Sequence, residues 1–110
     1  MEIIEEKVDE VHVLKLSGHL DATCVSQLKA AVQALIEADN IKILIDTADV
    51  NFVDSSGLGT LVTSLRSVTK AGGVFKITSL QENPKSLFET TRLDRVFDMH
   101  DDRDAAIASF

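Results

Sequence analysis

The chain has 110 residues, 45% of them apolar and 26% charged, which fits a soluble globular domain with one core of its own. Eleven Lys and Arg against 18 Asp and Glu give a formal net charge of −7. That balance excludes nucleic acid, whose phosphates must be neutralised by Lys and Arg, and it excludes an anionic membrane surface.

The opening residues 1–6 are acidic, where a signal peptide would be basic and then apolar. Residues 2–7 and 11–17 read as two strands joined by Asp9-Glu10, a hairpin. The second is apolar on both faces, as a central strand requires, and Gly18 is expected to end it. Asp21 then caps a helix over 22–38, with Val25, Leu28, Val32, Leu35 and Ile36 on one stripe. Cys24 lies at its start as the only cysteine, semi-buried and inert. It permits neither an internal disulfide nor a cysteine-based zinc site, and a reducing, cytoplasmic setting follows.

Residues 41–45 form the clearest strand, and a loop of about eight residues is expected after it. A helix over 56–70 follows, N-capped by Ser55, with Leu58, Leu61, Val62, Leu65 and Val68 on its buried face. Gly72-Gly73 stops it, and 74–77 is a strand. Asn83 as N-cap and Pro84 at the first helical position open a short helix burying Leu87 and Phe88. Residues 95–98 read as a last strand, and 101–110 as a last helix with Ile107 and Phe110 inward. The expected fold is α/β: one domain over 1–110, with a mixed, mostly parallel sheet of four to five strands and about four helices. The N-terminal hairpin supplies the antiparallel strand. No apolar run approaches the ~20 residues that span a bilayer.

The charge is carried by the ends: residues 1–10 net −4 and 94–104 net −3, while 11–93 is neutral. Within the neutral stretch, residues 43–65 hold Asp46, Asp49 and Asp54 and no base. The same region holds the segment richest in information, Asn51-Phe52-Val53-Asp54-Ser55-Ser56-Gly57-Leu58-Gly59. It lies at the carboxyl end of a strand, where α/β sheets gather ligands and partners. Each glycine costs a helix about 1 kcal/mol relative to alanine, so two in one turn of a well-patterned helix are a local inconsistency. Either Asp-Ser-Ser is an ordinary cap and the glycines fit a tight loop, or a helix-start serine is a place where a phosphate is accepted. His12, His19 and His100 lack metal-ligand spacing, and neither a nucleophile elbow nor a P-loop occurs. Neither catalysis nor a metal nor a cofactor is expected.

Asp54-Ser55-Ser56-Gly57-Leu58-Gly59 resembles the signature of the anti-sigma factor antagonists, the bacterial STAS domain family. Gly18-His19-Leu20-Asp21 is similar to that family's turn before its first helix. Ala71-Gly72-Gly73 and Leu93-Asp94-Arg95-Val96-Phe97 extend the likeness over essentially the whole chain. The resemblance implies a partner switch. The unmodified protein binds an anti-sigma factor that is itself an ATP-dependent serine kinase, and so frees sigma. Phosphorylation of Ser55 ends binding, and a PP2C-type phosphatase restores it. It further implies that Asp21, Asp54, Ser56, Gly57, Leu58 and Gly59 join Ser55 in the partner surface. Family members also serve as scaffolds or transport accessories. A response-regulator receiver is the rival outside the family. It needs an acidic pair after its first strand, which is lacking here, although Asp54 mimics its acceptor position.

Overall fold

The computed structural model describes residues 1–110. Its sheet holds five strands in the order β1-β2-β3-β4-β5: Glu2–Val8, Val11–Leu20, Lys42–Val53, Val74–Thr78 and Asp98–His100. β1 and β2 pair antiparallel, and every other neighbouring pair is parallel. The helices are α1 (Val25–Glu37), α2 (Ser55–Lys70), α3 (Glu82–Thr90) and α4 (Arg103–Ala108). The expected mixed sheet with its N-terminal hairpin is therefore what forms.

Alternation along the strands sorts side chains into two cores. Leu14, Leu16, Ile43, Ile45, Phe75 and Ile77 meet α1, α2 and α3 in the larger one. Val11, Val13 and Leu44 face the other way and meet Ala106 of α4 in the smaller. The phenylalanines close one end of the large core, with Phe97 5.6 Å from Phe88 and 6.2 Å from Phe75 between ring centroids.

Several boundaries differ from the sequence expectation, each for a physical reason. Gly18 does not end β2. It takes φ +103 at a register shift and lets the strand bend and continue to Leu20. The expected loop after residue 45 is strand. β3 runs to Val53, because Thr47, Val50 and Val53 are buried and 49–53 pairs with 17–20. A 3-10 turn, Ala22–Cys24, precedes α1, and Asp21 caps that turn. α3 starts at Glu82 after Gln81, so Asn83 and Pro84 are its second and third residues. The proline is tolerated there because first-turn N–H groups have no helical partner. Residues 93–95 form a 3-10 turn, and the last strand begins only at Asp98. Phe97 is drawn into the core instead of pairing, while Val96 is exposed. α4 is shorter than expected and is capped by Asp102, which accepts from the Ala105 N–H at 3.1 Å.

Candidate functional site

β2 and β3 run parallel and end in register, Leu20 beside Val53. The next residue of each is an aspartate with extended backbone, Asp21 at φ −137 and Asp54 at φ −111. Each caps the helical turn that follows. Asp21 Oδ1 accepts the Thr23 N–H at 3.0 Å, and Asp54 Oδ1 accepts the Gly57 N–H at 2.9 Å. The Asp54 N–H donates to the Leu20 carbonyl at 3.2 Å, tying the two strand ends together. The Cys24 thiol, buried rather than half-buried, donates to the Asp21 carbonyl at 3.1 Å. Hydrogen bonds from the Thr23 hydroxyl and N–H hold the Asp21 carboxyl below the usual carboxylate range.

Asp54 therefore supplies the cap that the sequence assigned to Ser55. Ser55 becomes the first residue of α2, exposed, with its hydroxyl released from capping. The α2 dipole places partial positive charge at this end, and the Ser55 and Ser56 N–H groups lie in its first turn. Ser56 is also exposed, and its carbonyl accepts the Thr60 hydroxyl at 3.0 Å.

The glycines divide in role. A Cβ on Gly57 would lie 2.0 Å from the Leu20 carbonyl oxygen, so the bare Cα is what lets α2 seat against β2. Gly57 and Leu58 are buried, and they shape the site from beneath without being open to a partner. A Cβ on Gly59 would meet nothing within 4 Å. Gly59 is exposed on the same side as Ser55, four residues on, and leaves the helix surface bare there.

The acidic patch is smaller than the sequence suggested. Asp46 is buried and points to the other side of the sheet, where Arg103 Nη1 reaches it at 3.4 Å. Asp49 pairs with Lys15 at 3.6 Å. Only Asp21 and Asp54 flank Ser55.

Two residues to which the sequence reading gave no role of their own stand at this edge. His19 and Phe52, partners across β2 and β3, stack at 5.4 Å between ring centroids with planes 57° apart. Phe52 is 46% exposed. Its exposure was legible only if the strand continued past residue 45. With Val50 and Val53 both inward, the bulged strand turns Phe52 outward.

None of the surface grooves is lined by residues 52–59. An edge without a concavity suits a macromolecular partner better than a small ligand. No group of three or more His, Cys, Asp or Glu is placed to hold a metal ion. No helix is long and apolar enough to cross a membrane.

Comparison with known proteins bears on the family and the fold. The model of the STAS domain family matches residues 2–106. The anti-sigma-B factor antagonist of Bacillus subtilis is similar at 28% identity, over 87% of this chain and 86% of its own. The crystal structure of a proposed anti-sigma factor antagonist from Thermotoga maritima superposes with a TM-score of 0.91. It is 26% identical, and the match covers 97% of this chain and 92% of that one. The phosphorylated form of the Bacillus cell fate determinant SpoIIAA shares the fold at a TM-score of 0.75 and 22% identity, over 99% and 100% of the two chains.

Proposed function

The chain belongs to the STAS domain family, and on that basis we propose that it is an anti-sigma factor antagonist whose hold on its partner is switched at Ser55. The observation that carries the proposal is the position of Ser55. It is exposed on the first turn of α2, freed from capping by Asp54, at the edge where β2 and β3 end together.

In this scheme the unmodified edge docks in the cytoplasm on an anti-sigma factor that is also an ATP-dependent serine kinase, and sigma is released. The kinase transfers the γ-phosphoryl of ATP to Ser55 Oγ. The new O–P bond forms as the bond to ADP breaks, and the hydroxyl proton leaves to a base on the kinase. A PP2C-type phosphatase hydrolyses the ester and returns the binding form.

The added group carries about −1.5 to −2 charge at neutral pH, beside Asp54 and near Asp21. Unit charges ~6 Å apart at an effective dielectric of ~20 repel by roughly 3 kcal/mol before salt screening. The α2 dipole returns only about 0.3–1 kcal/mol. That repulsion acts within the chain; what ends docking is the bulk and hydration of the phosphate, which a close interface must displace, without refolding of the domain.

The test uses purified anti-sigma factor kinases of the source organism, with ATP, and mass spectrometry of the chain. One of them is expected to phosphorylate the wild type at Ser55, to bind Ser55→Ala and to lose Ser55→Asp. Equal binding of the phosphorylated and unmodified forms refutes the switch. Absence of any kinase partner refutes the antagonist role and leaves a scaffold or transport-accessory module.

A further inference from the structure

We infer that Phe52, stacked with His19 at the carboxyl ends of β2 and β3, is the anchor by which the anti-sigma partner is held, and that the partner meets it with an arginine. The inference deepens the Ser55 proposal and rests on it.

Phe52 is unlike the other aromatic side chains. Phe75, Phe88 and Phe97 are buried in the large core, and Phe110 lies half-buried with the Lys76 ammonium 4.9 Å from its ring centre. The chain has no Trp or Tyr. Phe52 is therefore the one strongly exposed phenylalanine, and its ring is not taken up by either core. Its neighbours Val50 and Val53 do the burying for this part of β3.

Distance decides what covers it. Ser55 is three residues on from Phe52, a span of at most about 11 Å. A standard interface takes roughly 800 Å² from each partner, a disc about 16 Å in radius. A partner centred on Ser55 that extends over the carboxyl ends of β2 and β3 reaches Phe52 within that radius. Binding energy within such a patch concentrates on a few aromatic or arginine anchors near its centre.

The surroundings name the facing group. Residues 18–28 and 50–65 contain no Lys or Arg, while Asp21 and Asp54 follow His19 and Phe52 two residues on, at the ends of the same paired strands. A guanidinium lies flat on an aromatic face and donates along its edge to a carboxylate, which a compact ammonium does less well. His19 stands tilted against Phe52, and the ring remains 46% exposed, which leaves ring surface to the partner.

The test takes the kinase that phosphorylates wild-type Ser55 and measures its affinity for variants of the full chain. Phe52→Ala is expected to raise Kd roughly 30-fold, at the hot-spot level. Phe52→Leu, which keeps apolar bulk without a ring face, should raise it about 10-fold, and Phe52→Tyr should change little. Val74→Ala is the control, an equally apolar and 40% exposed residue at the opposite end of the parallel strands. It should bind as wild type does. Phe52 is exposed, so circular dichroism and melting should not change. Unchanged affinity of Phe52→Ala, with Ser55→Asp still abolishing binding, overturns this inference and leaves the switch standing. Equal affinity of Phe52→Leu and wild type overturns the arginine. Loss of self-association by Phe52→Ala on sedimentation, with unchanged Kd for the kinase, assigns the ring to a second copy and also overturns it. Failure of wild type to bind any such kinase overturns both.

Discussion

Gly57→Ala is the sharpest test of how the Ser55 edge is built. On an isolated helix the change would stabilise by about 1 kcal/mol. Here the new methyl would lie 2.0 Å from the Leu20 carbonyl oxygen, while real contacts stop near 3.0 Å, so the start of α2 must retreat by at least about 1 Å. Leu20 cannot yield instead. It is fully buried, and its carbonyl accepts the Asp54 N–H. Retreat stretches that hydrogen bond, worth about 0.5–1.5 kcal/mol, and lifts Leu58 from the core, in a site where overpacking typically costs about 1–3 kcal/mol. The net expectation is a loss of about 2 kcal/mol, or roughly 8–16 °C in Tm for a chain of this size. Gly59→Ala is the internal comparison. Its methyl meets nothing, so the helix gain of about 0.5–1 kcal/mol should appear as a rise of a few degrees. Calorimetry and urea titration of both variants give the values. A Gly57→Ala protein that melts at or above the wild-type temperature would refute the close seating of α2 on β2.

Asp54→Ala should cost about 1 kcal/mol by urea titration and Asp54→Asn almost nothing, since either Asp or Asn can accept the Gly57 N–H. Arg103→Gln leaves Asp46 buried with only the Ala48 N–H at 3.0 Å to face it, and frees Glu6; a loss of about 2 kcal/mol is expected. The same variant tests the pH dependence. The Arg103 side-chain hydrogen bond, and then its charge, hold the Glu6 carboxyl below the usual range. A depressed folded value means stability that is present above the unfolded carboxylate pKa of about 4.3 and lost as pH falls through the folded one. Asp21, lowered by its bonds from Thr23, acts in the same direction. Urea midpoints measured from pH 6 down to pH 2.5 should fall less steeply for Arg103→Gln than for wild type, and parallel curves would count against the Glu6 bond.

The hairpin, the face of α2 and the turn at Asp21 were legible because each is written in local signals: apolar period, cap and turn residues. The length of β3 was not. Asp46, Thr47, Asp49 and Asn51 interrupt its apolar pattern and read as loop. The fold satisfies most of them from far along the chain. Arg103 reaches Asp46, the Thr47 hydroxyl donates to the Thr78 carbonyl at 2.9 Å, and Lys15 pairs with Asp49. The missed strand hid the outward turn of Phe52. The cap was misplaced by one residue because Asp and Ser cap almost equally well, and the choice is made by the Leu20 carbonyl, which fixes Asp54 in extended backbone. The final strand was placed early because Val96-Phe97 carries strand propensity, yet Phe97 is taken up by Phe75 and Phe88.

The order of strands across the sheet repeats their order along the chain. Each strand emerging from a ribosome thus finds its neighbour already at the open edge of what has been made, and no later strand must be inserted between two earlier ones. The Ser55 edge is built from β2, β3 and the first turns of α2, all of which precede β4 and β5 along the chain. Later strands add outward, β4 on β3 and β5 on β4, and leave that corner open.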